Sequence, residues 1–200
     1  MVEDARDEVA SLLDVRSEEV IFTSGGTEAN FLALWGSVLG CENAGTPIER
    51  LLVSAIEHDS VLNTAKEIAE RRTGLQFDMI PLTGAGIVDL DALDALLAKG
   101  GPTLVAVMAA NNETGIVQPY ADVAQRVHAA GGLCTVDAVQ ACGKLAADFA
   151  GADYLTISAH KLGGPQGAGA LVVRERAPFA PVIRGGGQES NREETAEQTV

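Results

Sequence analysis

The chain has 200 residues, 46% of them hydrophobic and 22 of them glycine, which suits one large α/β domain or one domain with a fragment of another. Its formal charge of -14 speaks against a broad nucleic-acid surface, and no apolar run approaches the roughly 20 residues of a membrane span. Cys41, Cys134 and Cys142 form no CxxC and no even set, so they fit a reduced cytoplasmic protein better than a disulfide framework, and no metal-ligand cluster accompanies them.

Met1 leads straight into Val2-Glu-Asp-Ala-Arg6, with no signal-peptide pattern. Val2, Ala5, Val9, Leu12 and Leu13 recur at helical spacing and predict an opening amphipathic helix. Glu19 to Thr23 reads as a strand. Ser24-Gly25-Gly26-Thr27-Glu28-Ala29-Asn30 follows, then the helical stretch Phe31 to Trp35. A strand therefore feeds a glycine turn and a helix start, whose N–H groups and dipole suit a phosphate. An ordinary βα turn has the same composition, and the spacing matches neither dinucleotide nor P-loop patterns.

Leu51 to Val53 is the next strand, running into Glu57-His58-Asp59-Ser60 and a helix carrying Val61, Ala65 and Ile68. His58 thus stands at a βα junction, either as a helix-start residue or as a reactive one. Leu75 to Ile80 predicts a strand, and Leu90, Leu93, Leu96 and Leu97 a short helix capped by Asp89 and stopped at Gly100-Gly101. Thr103 to Met108 is a strand ending in Asn111-Asn112-Glu113-Thr114-Gly115, which is also ordinary turn chemistry. Pro119 suits the start of a helix that includes Val123 and Val127 and ends at Gly131-Gly132.

Leu133 to Val136 is a buried-strand run followed by Asp137-Ala-Val-Gln140. Tyr154 to Ile157 is another, followed by Ser158-Ala-His160-Lys161 and a glycine-rich turn, with Gly169 to Val173 as a last strand. Desolvation at such a place would lower a lysine's pKa and free its amine to attack carbonyls, whereas a surface lysine beside a glycine turn is the bland alternative. The alternation of short apolar strands with helices predicts a mostly parallel sheet covered on both faces. Thr27, His58, Asn112, Asp137 and Lys161 all follow strands, so they are expected along one edge of it.

Those groups compose the kit of a pyridoxal phosphate site: a lysine for the aldehyde, an acid for the pyridine nitrogen, a phosphate cup and a flat group against the ring. The motifs Thr23-Ser-Gly-Gly-Thr-Glu-Ala-Asn30, Glu57-His58, Asn111-Asn-Glu-Thr-Gly115, Val136-Asp-Ala-Val-Gln140 and Ser158-Ala-His-Lys161 resemble, in order, those of the cysteine desulfurases in the class V aminotransferase group. The resemblance spans nearly all of residues 1 to 188. It implies a type I pyridoxal phosphate fold, a homodimer, and conversion of L-cysteine to L-alanine, with sulfur passed as persulfide to an acceptor or scaffold protein in iron–sulfur cluster assembly or other sulfur biosynthesis. Neither nucleic acid nor membrane is an expected partner.

By position the resemblance gives Lys161 the cofactor and proton transfer, Asp137 the pyridinium and Gln140 the ring hydroxyl. His58 stacks on the ring and helps as acid or base. Gly26, Thr27, Ser158 and His160 hold phosphate, and Asn112 contacts cofactor and substrate. None of the three cysteines matches the family's nucleophile, and Cys142 reads as a packing residue. Residues 1–184 are expected to form the cofactor-binding large domain, without the family's opening arm and small C-terminal domain. Residues 185–200 make a polar tail, a candidate subunit-interface segment. Thr195 keeps an Arg-x-x-Thr spacing from Arg192 and is a candidate for the contact to the partner subunit's phosphate, although Glu193 and Glu194 lie beside it. The alternatives are a selenocysteine lyase, aminotransferase or other β-lyase of the same group, and a non-catalytic fragment that pairs with sulfur-transfer proteins.

Overall fold

The computed structural model describes residues 1–146 and 148–183. Its helices are α1 (Val2–Leu13), α2 (Gly26–Asn43), α3 (Asp59–Arg71), α4 (Leu90–Leu97) and α5 (Tyr120–Ala129). Its strands are β1 (Val20–Thr23), β2 (Arg50–Ser54), β3 (Gln76–Ile80), β4 (Thr103–Met108), β5 (Leu133–Asp137), β6 (Tyr154–Ser158) and β7 (Gly169–Val173). They form one seven-stranded sheet in the order β1-β7-β6-β5-β4-β2-β3. Strands β6, β5, β4, β2 and β3 are parallel, whereas β7 is antiparallel to both β6 and β1. Two antiparallel steps leave β1 pointing the same way as β6.

Every residue of β2, β4, β6 and β7 is buried, as expected for strands covered on both faces. Helices α1, α4 and α5 pack on one face and α2 and α3 on the other. Burial of Ala29, Leu32, Ala33, Leu34, Trp35 and Val38 makes α2 apolar on most sides, because it lies between the sheet and α3. Asp89 caps α4 by accepting from the N–H groups of Asp91 and Ala92, both at 3.1 Å. Among the described residues, no helix is long and apolar enough to cross a membrane.

The opening helix forms where its periodicity predicts, but its buried face keeps Leu13 and is turned from Val2 and Leu12 toward Arg6 and Ala10. Arg6, Ala10 and Leu13 are buried, while Val2 and Leu12 are more than half exposed. The reason is Arg6. Its Nη1 donates to the Val20 carbonyl at 2.7 Å, and its guanidinium stands 4.9 Å from the Phe22 ring centre.

Behind β7 the chain returns across α2. The Ala180 N–H donates to the Gly36 carbonyl at 3.0 Å, and the Tyr154 hydroxyl donates to the Pro178 carbonyl. A Cβ on Gly40 would lie 2.4 Å from the Phe179 nitrogen, so glycine is what lets the segment lie against the helix. At the amino-terminal edge of the sheet the charges are structural. Buried Asp153 accepts from the Cys134 N–H at 2.8 Å, His128 Nε2 at 2.7 Å and Arg176 Nε at 2.9 Å. All three cysteines are buried and unpaired, so Cys142 is a packing residue.

Candidate active site

At the carboxyl ends of the parallel strands, five connections turn into the same space. The Gly25-Gly26 turn leads from β1 into α2, and His58 leads from β2 into α3. Asn112 lies beyond β4, Asp137 ends β5, and a short 3₁₀ turn, Ala159–Lys161, follows β6. They enclose a cleft of about 270 Å³ lined by Gly26, Thr27, Asn30, His58, Ser60, Met108, Asn112, Asp137, Val139, Gln140, His160 and Lys161. An open parallel sheet presents a crevice here because its βα loops all emerge on this edge. Lys161, in the turn after β6, and Asp137, at the end of the neighbouring β5, therefore line one cavity.

Asp137 is 7% exposed. Its Oδ2 accepts from Asn30 Nδ2 at 2.8 Å and its Oδ1 from the Val139 N–H at 2.9 Å. Burial raises its pKa above the ordinary value, and the two hydrogen bonds and the nearby His58 oppose that rise. Asn30 is the hub of this floor. Its Oδ1 accepts from the Thr156 hydroxyl at 2.6 Å, and its Nδ2 also donates to Ser60 Oγ at 3.0 Å. Ser60 Oγ lies 2.8 Å from His58 Nδ1, which accepts from the Ser60 N–H at 3.1 Å. With Nδ1 accepting, the ring hydrogen of neutral His58 sits on Nε2. His58 is thus both the N-cap of α3 and a wall of the cleft.

The opposite end is rich in donors. Helix α2 starts at Gly26 without a side-chain cap, so its first N–H groups face the turn. A Cβ on Gly26 would lie 2.9 Å from Val139 Cγ2, so a side chain would crowd the cleft wall. Ser158 is buried below, with Oγ 2.9 Å from His160 Nδ1; it supports the cleft without lining it. Glu28 accepts from the Ser24 N–H and hydroxyl at 2.5 and 2.6 Å, which ties the turn down.

Lys161 differs from the dry setting its strand-end position suggests. It is exposed, on a 3₁₀ turn that carries it one step out of the sheet. Gln140 is half-buried and accepts from Lys144 Nζ at 2.8 Å, while Asn112 is exposed and donates to Glu113 Oε1 at 2.6 Å. Thr195 and the tail lie outside the described residues. Asn30, Ser60, Met108 and Val139 carry no assignment from the sequence. A lone asparagine one turn before buried Ala33 and Leu34 was the usable signal, since a buried amide needs partners.

Residues 1–199 match the family model of the class-V aminotransferases. The chain belongs to the class-V aminotransferase family. A cysteine desulfurase of Trichormus azollae is 39% identical to this class-V chain over 193 residues, covering 96% of it and 46% of that protein. The chain spans about half the length of the curated relatives it matches. A solved NifS-like protein superposes with a TM-score of 0.88 at 35% identity, over 98% of this chain and 53% of the other. The structure of SspA in complex with cysteine gives 0.86 at 30% identity, over 98% of this chain and 56% of the other. These neighbours share the α/β architecture of this class-V chain, with a mostly parallel sheet between helical layers.

Proposed function

We propose that this chain is the cofactor-binding part of a pyridoxal phosphate-dependent cysteine desulfurase. The observation that carries the reading is the cleft itself. It sets a hydrogen-bonded buried carboxylate, Asp137, and an amine, Lys161, in one cavity with the start of α2. Relatives named as cysteine desulfurases and a neighbour solved with cysteine support the substrate.

The donor set fits the cofactor. The α2 start, Gly26, Thr27 and His160 offer N–H and polar groups to a phosphate, with Ser158 holding His160. Asp137, where Asn30 and the Val139 N–H oppose the rise in pKa that burial causes, would hold the ring nitrogen protonated. When bound, pyridoxal phosphate supplies an electron sink for bond breaking at the amino acid. Lys161 would hold the aldehyde and move protons. His58 would cover a ring face and, with Nδ1 tied to Ser60, would present Nε2–H as a proton donor. Gln140 would meet the ring hydroxyl and Asn112 the substrate on leaving their present partners, Lys144 and Glu113. A homodimer, a protein sulfur acceptor and a cytoplasmic setting complete the proposal. Thr195 is assigned to the partner's phosphate on its spacing alone.

The test is to mix the chain with pyridoxal phosphate and record visible absorbance. A bound band is expected in the wild type and lost in Lys161→Ala, and L-cysteine should perturb it more than L-serine does. No band in the wild type refutes a competent site. A band that responds to another amino acid and not to cysteine gives the aminotransferase or lyase reading instead.

A further inference from the structure

Directly before His58 lies a carboxyl group to which the proposed chemistry gives no role. Glu57 is 6% exposed. Its Oε1 accepts from the Met108 N–H at 2.6 Å and from the Ser54 hydroxyl. Its Oε2 is buried and has no hydrogen-bond partner among the described residues. Ser54 ends β2 and Met108 ends β4. Met108 is also the register partner of Asp137 across the β4–β5 ladder, and its side chain lines the cleft. Glu57 therefore ties two strand ends together one residue pair away from the acid beneath the cleft. The Asn111 amide reinforces the same corner by donating to the Ile56 carbonyl at 3.0 Å.

We infer that Glu57 is a positioning residue that works as an uncharged acid: it pins the Ser54 and Met108 strand ends through Oε1, carries its proton on Oε2, and leaves Asp137 as the acid charge under the cleft. The inference rests on the cofactor reading of the cleft for its consequence, and on geometry for the proton. A buried carboxylate needs acceptor bonds on both oxygens, and here both donors fall on one. Asp137 has a donor on each oxygen and His58 nearby; Glu57 has Asp137 and Cys134 of β5 in its field, and no cation on the β2, β4 or β5 residues it touches. Of the two acids, Glu57 is the one that keeps the proton. Burial pushes its pKa up to about 8, with the Asp137 charge adding to the rise and the Ser54 and Met108 bonds opposing it. A second ionised group here would compete with Asp137 for the positive ring and repel an incoming amino-acid carboxylate.

Two readouts test this, one without cofactor. In the cofactor-free chain, infrared difference spectra across pH should show a carboxylic-acid carbonyl that disappears near pH 8 and is absent in Glu57→Gln. In the chain mixed with pyridoxal phosphate, Glu57→Gln should keep the wild-type affinity and band and remove the component of their pH dependence centred near 8. Glu57→Ala, which frees Met108, should weaken binding about tenfold. An acid carbonyl absent at neutral pH, or Glu57→Gln matching Glu57→Ala, overturns the inference. An intact acid carbonyl with no cofactor band in the wild type counts against the cofactor reading and upholds the uncharged acid.

Discussion

Replacing Asn30 by alanine should damage both the fold and the cleft, by an amount that follows from its three bonds. Asn30 is 4% exposed and donates to the Asp137 carboxylate. A hydrogen bond to a charged group contributes about 1.5–3 kcal/mol. The same change leaves the Thr156 hydroxyl, which is fully buried, without an acceptor, at about 1–3 kcal/mol. Ser60 is half-buried and can turn to water, so it adds little. Water entering the vacated space recovers part of the sum, and a net loss of about 2–5 kcal/mol is expected, a large share of the roughly 5–15 kcal/mol of a typical domain.

The pH dependence of that loss identifies Asp137 as its source. Asp137 has a folded-state pKa raised above its ordinary 3.8, so its contribution to stability is fully present below 3.8 and is lost as pH rises through the folded value. Removing Asn30 deletes a bond that holds this value down, so it rises further and the loss extends to higher pH. The gap between wild type and Asn30→Ala should therefore be wider at neutral pH than in acid. Urea unfolding of both proteins at several pH values measures it. A loss under about 1 kcal/mol, or a gap independent of pH, would refute the charge-assisted bond.

Three further outcomes are expected. Stability of the wild-type chain should fall as pH rises from 4.5 toward 8, because Glu57 holds its proton more tightly when folded; the limiting slope is about 1.4 kcal/mol per pH unit, and thermal unfolding of Glu57→Gln should lack this component. Gly40→Ala should destabilise by about 1–3 kcal/mol in urea unfolding, against the roughly 1 kcal/mol that helix propensity favours, since its Cβ would meet the Pro178–Phe179 backbone. Asp153→Ala should cost about 3 kcal/mol by the same assay while leaving the cofactor absorbance of the folded chain unchanged.

Much of the architecture is legible in the chain because its signals are local. The apolar runs at Thr103–Met108 and Gly169–Val173 coincide with β4 and β7, and Asp89 caps the helix it precedes. The direction of β7 is not legible. A strand buried on both faces reads the same either way, and the antiparallel pairing that places β1 beside it brings Gly169 close to Gly25, where a Cβ would lie 2.7 Å from the Gly25 Cα. The loop residues of the cleft are readable because position after a strand decides where they sit. Asn30 and Glu57 are different. One lies within a helix and the other beside a histidine that draws the attention, and what matters in each is which way the side chain points and which atoms it meets. Arg6 shows the same limit, since a guanidinium with a carbonyl partner takes the buried place that hydrophobic periodicity alone assigns to Val2 and Leu12.

The two edges of the sheet use charge in opposite ways. At the amino ends of the strands, Asp153 meets three donors, and Glu19 accepts from the Arg16 and Glu175 N–H groups as well as from Arg174. Those carboxylates are spent within the fold. At the carboxyl ends, Lys161 and His160 are exposed, and Asp137 has acceptor capacity left beyond its two donors. Stability alone gives no reason to bury Asp137 beside a cleft, since a desolvated charge costs more than an apolar residue of the same size. A bound anion at the α2 start and a cationic ring over Asp137 would complete that set. Substitutions on the two edges should accordingly separate: Asp153→Ala acts on unfolding, and Lys161→Ala on absorbance.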